Sequence, residues 1–76
     1  MENGYFPLTM ALPGQEVTLF AINGGKGIKN RLISLGLTNG VKLKVLNNGP
    51  GPLIISVRDS RLALGYGMAH KIMVKE

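Results

Sequence analysis

The stretch Arg31-Leu-Ile-Ser-Leu-Gly-Leu-Thr-Asn-Gly40 leaves the chain little freedom in how it folds locally. Leu35-Gly36-Leu37 reads as a helix C-terminus in which Gly36 takes the left-handed conformation, where a side chain with a Cβ would be penalised. Leu37 then folds back on Leu32, the apolar contact that accompanies such a cap. Asn39-Gly40 supplies residues that tolerate positive φ, as a tight turn needs. A helix stopped this abruptly and followed at once by a strand points to a small, mostly β domain.

The strands are legible from alternation. Val17, Leu19 and Ala21 share one face of a strand over 15–22, with Phe20 and Ile22 adding apolar surface to the other face. Val41, Leu43 and Val45 alternate with Lys42 and Lys44, the pattern of a half-buried strand. Leu53, Ile55 and Val57 alternate in the same way, and Asp59-Ser60 reads as a turn into Arg61-Leu62-Ala63-Leu64. Gly65-Tyr66-Gly67 breaks that strand, Met68–Lys71 suits a single helical turn, and Ile72 and Val74 close the chain. Near the start, 7–12 reads as a short strand before a Pro13-Gly14 turn. Between 27 and 35, Ile28, Leu32 and Leu35 stand at i, i+4 and i+7 and form one helical stripe. About two turns of helix cannot persist alone and must be held by packing. The expected architecture is an antiparallel barrel of five or six strands, closing its sheet, with one short helix over about 27–35. The expected organisation is a loose N-terminal tail over 1–6 and a single domain over 7–76.

A chain of 76 residues has a small core and little room for a large catalytic cleft. It has no cysteine, hence no disulfide framework and no thiolate metal site. Met1–Pro7 shows no basic segment followed by an apolar one, and no apolar run approaches the ~20 residues of a membrane span. These features lead to the expectation of a soluble, cytoplasmic protein. One histidine, His70, and the carboxylates Glu2, Glu16, Asp59 and Glu76 show no metal-ligand spacing, so no metal site and no cofactor is expected. Ser34, Ser56 and Ser60 lack a recognisable base and orienting partner, which argues against an enzyme. Gly24-Gly25-Lys26-Gly27 lacks the spacing of a nucleotide-binding loop and reads as a flexible turn into the helix.

Nine Lys and Arg against four Asp and Glu give a formal charge of +5 and favour an acidic partner. Lys26, Lys29, Lys42, Lys44, Arg58 and Arg61 could serve a small nucleic-acid-binding barrel. The aromatic residues Tyr5, Phe6, Phe20 and Tyr66 are scattered, however, and no RNA-recognition motif is present, so nucleic acid is the weaker reading.

Taken in order, Leu12-Pro-Gly14, Arg31-Leu-x-x-Leu-Gly-Leu37 with Gly40, Val41-x-Leu-x-Val-Leu46, the Gly/Pro loop 49–52, Leu62-Ala-Leu64 and Ala69-x-x-Ile-x-Val74 resemble the FeoA family of ferrous-iron transport accessory proteins. The same order is similar to the C-terminal domain of DtxR-type iron-dependent repressors. The resemblance runs from about residue 8 to 75, with Arg31, Leu32, Leu35, Gly36, Leu37 and Gly40 as its specific part. It implies an SH3-like barrel without catalysis of its own. It also implies a partner, the FeoB membrane transporter with its cytosolic G-domain, and with it recruitment to the inner face of the membrane. A metal-linked regulatory module, as in the repressors, is the alternative it leaves. The chain departs from the family at three places. Its loop Gly49-Pro50-Gly51-Pro52 lacks the usual Asp, and Gly65 and Met68 stand where the family tends to have Arg and Glu. On the residues themselves, the partner surface is expected on the helix and its approach, at Lys26, Lys29, Asn30 and Ile33. These lie off the apolar stripe and are free to meet an acidic face. A monomer or weak oligomer is expected.

Overall fold

The computed structural model describes residues 4–76. Six strands form one antiparallel sheet: β1 Tyr5–Pro7, β2 Glu16–Ile22, β3 Lys42–Asn47, β4 Leu53–Val57, β5 Ser60–Leu64 and β6 Ile72–Lys75. The hydrogen-bonded order is β1-β6-β2-β3-β4-β5. Two helices, α1 Lys26–Ser34 and the one-turn α2 Tyr66–Ala69, interrupt it. The mostly β, antiparallel architecture with a short central helix is therefore as expected. No helix among the described residues is long and apolar enough to cross a membrane.

Inward residues of the strands are buried as the alternation requires: Val17 and Leu19 from β2, Leu43 and Val45 from β3, Leu53, Ile55 and Val57 from β4, Ile72 and Val74 from β6. Leu64 from β5 belongs to the same cluster, and Phe6 from β1 packs against it. Strands at opposite ends of the ladder can share one core only if the sheet wraps around it. The wrapping does not extend the pairing into a full circle. β1 and β5 stand at the two ends of the ladder, so the closure expected from the sequence is one of packing. Register shifts between Leu19 and Ala21 in β2 and between Val45 and Asn47 in β3 bend the sheet and leave Phe20 and Leu46 partly exposed.

Four local expectations are corrected. The tail expected over 1–6 falls outside the described residues at 1–3, but Tyr5 and Phe6 form β1, paired with Lys75 and Val74 of β6. The Tyr5 ring stacks on Phe20 with centroids 3.9 Å apart, and this contact holds the strand. Residues 8–10 are a 3-10 turn, not a strand. Leu8 and Ala11 are both fully buried, and a spacing of three matches the 3-10 repeat where a strand would put them on opposite faces. Finally, the hairpin between β4 and β5 turns at Arg58-Asp59, with Ser60 already paired to Val57. Arg58 takes φ 55° there, the one non-glycine with positive φ among the described residues. The single expected helical turn also begins earlier than Met68, at Tyr66.

α1 ends as the sequence predicts. The Gly36 N–H donates to the Ile33 carbonyl at 2.9 Å and the Leu37 N–H to the Leu32 carbonyl at 3.0 Å, the two bonds of a Schellman motif. Gly36 has φ 95°. Leu32 and Leu37 are both in the core, and Ile28 packs against it. Leu35 does not join them: it is 43% exposed. It lies on the wall of an open depression between α1 and the β5–α2 segment, lined also by Arg31, Ala63 and Met68, while the returning chain puts Leu37 into the core instead.

Asn48 ties the 3-10 turn to the sheet. Its Nδ2 donates to the Thr9 carbonyl at 2.9 Å and the Ala11 carbonyl at 2.7 Å, while its buried Oδ1 has no hydrogen-bond partner. Two carbonyl acceptors on one atom identify it as the amide nitrogen.

Leu32→Ala should cost roughly 2–5 kcal/mol of stability, the range for truncating a buried leucine. Leu35→Ala should cost well under half of that. Chemical denaturation of both variants measures the contrast, and equal losses would mean that Leu35 is packed. At Gly36, valine should destabilise more than asparagine, because a β-branched residue is the poorer fit to positive φ. The ordering of the two unfolding midpoints tests the cap.

Candidate interaction site on the helix

The helix is set by its two ends. At the start, Gly24 has φ 141° and approaches Ile28 so closely that an added Cβ would lie 3.3 Å from the Ile28 Cδ1. Gly25 is the N-cap and offers no side chain to the first turn, which contains no acidic residue. Lys26 therefore sits at the positive end of the helix dipole, so charge and dipole together favour an acidic group placed there from outside. At the other end, the Val41 N–H donates to the Thr38 carbonyl at 3.1 Å, closing the turn in which Gly40 has φ 87°. The Gly40 N–H donates to the Leu19 carbonyl at 2.8 Å and the Leu19 N–H to the Val41 carbonyl at 2.9 Å, so the turn is fastened to β2.

Lys26, Lys29, Asn30 and Ile33 are all exposed and follow one another at helical spacing along a face to one side of Leu32. Ile33 is 49% exposed, one of several large apolar side chains at the surface, and it stands at the edge of a groove. Lys29 and Ile33 also form one wall of a groove of about 270 Å³, closed by Ala21 and Ile22 of β2 and by Leu37, Thr38 and Asn39 after the helix. The structure thus brings Lys29 and Ile33 together at the groove. Lys26 and Asn30 extend the same stripe but do not line it. The remaining residues of the sequence motif serve the frame: Leu32 and Leu37 in the core, Gly36 and Gly40 in the turns, Arg31 and Leu35 exposed at the depression on the far side of α1.

The groove's other wall was not identified from the sequence. Its one signal there was Ile22, apolar where simple alternation expects the polar face of β2; the register shift after Leu19 sets it across from the buried Ile72 instead. Thr38 and Asn39 carry no such signal, because only the cap brings them beside Ile33.

The site offers an apolar floor with a cationic and amide rim and has no catalytic constellation. Among the described residues, no three of His, Asp and Glu gather in a way that could hold a metal ion. His70 is exposed, with its Nδ1 3.5 Å from the Thr9 hydroxyl.

Residues 6–76 match the FeoA domain model. The protein belongs to the FeoA family. A candidate Fe(2+) transport protein A of Methanocaldococcus jannaschii is 46% identical to it over 71 residues, which cover 93% of this chain and 87% of that one. A crystal structure of an iron uptake regulatory protein, FeoA, superposes with a TM-score of 0.88 at 40% identity, covering 93% of this chain and 96% of the other. The FeoA of Stenotrophomonas maltophilia, solved with zinc and described as a procaryotic SH3 domain protein, gives a TM-score of 0.80 at 22% identity over 92% of this chain and 89% of that one, a likeness of fold. The SH3-like barrel expected for the chain is thus the family's fold.

Ile33→Ser should leave stability within about 0.5 kcal/mol of the wild type, as for a surface position. Thermal unfolding reads this directly, and a loss of several kcal/mol would show that Ile33 is a packing residue.

Proposed function

We propose that the protein is a non-enzymatic, cytoplasmic accessory of ferrous iron transport that binds the cytosolic part of a FeoB-type transporter through the outer face of α1. The observation that carries this reading is the exposed Ile33 beside an apolar groove, flanked by Lys29 and preceded along the helix by Asn30 and Lys26. An apolar centre with a charged rim is the anatomy of a protein interface. Membership of a family named for Fe(2+) transport directs that interface toward the transport machinery. In this arrangement Ile33 enters a pocket of the partner or draws a partner side chain into the groove. Lys26 and Lys29 steer the encounter with an acidic surface, which affects association rate and salt dependence more than final affinity. The frame of Gly36 and Leu37 holds the helix rigid, so little ordering entropy is lost on binding.

Titration of the transporter's purified cytosolic domain against wild type and folded variants tests the proposal. Ile33→Asp should weaken binding at least tenfold. Lys26→Glu/Lys29→Glu should weaken it as well, with the difference from wild type shrinking as salt is raised. Unchanged binding by both variants would place the interface elsewhere, and no binding by the wild type would remove the transporter as partner.

A further inference from the structure

On the outside of the sheet, away from α1, the strand register assembles a second charged surface. Lys44 of β3 lies across from Ser56 of β4, and Ser56 lies across from Arg61 of β5. One step along, beyond the Leu43–Val57 pair, Lys42 stands beside Arg58 at the hairpin tip. Lys42, Lys44, Ser56 and Arg58 border one shallow depression of about 220 Å³. All four cations are exposed. The acids near them are Glu16, which faces Lys44 from β2 and borders the same depression, Glu76 near Lys42 at the β2 border, and Asp59 in the hairpin turn.

Lys42 and Arg58, side by side at the hairpin end, repel each other, while Glu16 opposite Lys44 offsets part of the charge. Arg58 adds a second cost. It adopts φ 55° at the first position of a two-residue hairpin turn, where glycine or asparagine would be at ease. The strand pairing imposes that conformation, and with all four cations exposed the face is open to an anion supplied from outside.

We propose that this face of β3, β4 and β5 docks on an anionic lipid surface. Two cations on β3, one on β5 and one in the turn between β4 and β5, on a sheet whose strands are spaced about 4.8 Å apart, form a two-dimensional array suited to headgroups in a plane. Single-stranded nucleic acid fits less well, because it is gripped by aromatic platforms beside the basic groove. Here Tyr5 and Phe20 are stacked on each other, with Lys75 Nζ 5.7 Å from the Phe20 ring centre, and Tyr66 lies on α2. The choice of lipid also rests on the transport role proposed above, which puts the protein beside a membrane. None of these cations belongs to the α1 face, so the protein can engage lipid and transporter at once.

Co-sedimentation of the full chain with vesicles of phosphatidylcholine alone, or of phosphatidylcholine with phosphatidylglycerol, tests the proposal. Binding should require the anionic lipid and disappear at high salt. Each cation removed should cost about fivefold, so Lys42→Gln/Lys44→Gln should bind about 25-fold more weakly. Arg31→Gln/Lys71→Gln, with the same net charge, should bind within threefold of wild type. Equal binding to neutral vesicles, equal losses in the two double variants, or preferential binding of a mixed-sequence single-stranded RNA would each overturn the lipid face. The same Lys42→Gln/Lys44→Gln protein, folded by circular dichroism, is titrated against the transporter's cytosolic domain. Retained transporter binding with lost vesicle binding supports two separate faces. Vesicle binding by a wild type that ignores the transporter domain supports the lipid face while ending the transporter reading.

Discussion

Two backbone hydrogen bonds at the end of α1, from Gly36 to Ile33 and from Leu37 to Leu32, decide where much of the molecule goes. They reverse the chain within one residue of the helix, which buries Leu37 completely and points the following turn at β2. That turn launches β3, and β3 carries both the central ladder of the sheet and two of the cations on its outer face. The same reversal places Thr38 and Asn39 opposite Ile33 and so makes the groove. A left-handed residue at 36 is therefore a condition for the core, the sheet and the candidate site together. This explains why the motif around it is the most recognisable part of the chain.

The two surfaces differ in how they arise. The groove beside α1 is a tertiary product, assembled from a helix, a strand and a turn. The basic face is a secondary-structure product, since period-two alternation in β3 and the register with β4 and β5 suffice to build it. Substitutions in the core would be felt at the first by repacking. They would reach the second only by disturbing strand pairing.

What could be read beforehand follows the same division. β3, β4 and β6 were legible because their buried residues alternate strictly, and α1 because Ile28 and Leu32 keep helical spacing and Gly36 stops it. Lys26, Lys29, Asn30 and Ile33 were legible as an outward stripe for the same reason. The 3-10 turn is hidden because 7–12 reads locally as a short strand, which masks the spacing of three between Leu8 and Ala11. Leu35 was misplaced because a helical wheel has no knowledge of where the partner surface ends; the depression beside Ala63 and Met68 leaves it uncovered. At the β4–β5 hairpin, Asp59-Ser60 is the better turn by local preference. Pairing of Leu53 with Leu64 and Ile55 with Leu62 nevertheless fixes the turn at 58–59 and forces Arg58 to conform. Tyr5 became a strand residue through a ring 15 positions away, which no local pattern reveals.

The ladder's open ends have a consequence for behaviour in a crowded solution. An unpaired strand edge is a template for another chain, and a sheet that does not close has two of them. Here one end is only three residues long and finishes in Pro7, which has no N–H to offer. The other is a five-residue strand that follows directly on the charged Arg58-Asp59 hairpin and bears Arg61 on its exposed side. A second copy approaching edge to edge would meet a short, donor-poor strand at one side and its own charge at the other. The barrel can thus leave its hydrogen-bonded circle incomplete without inviting growth into an extended sheet.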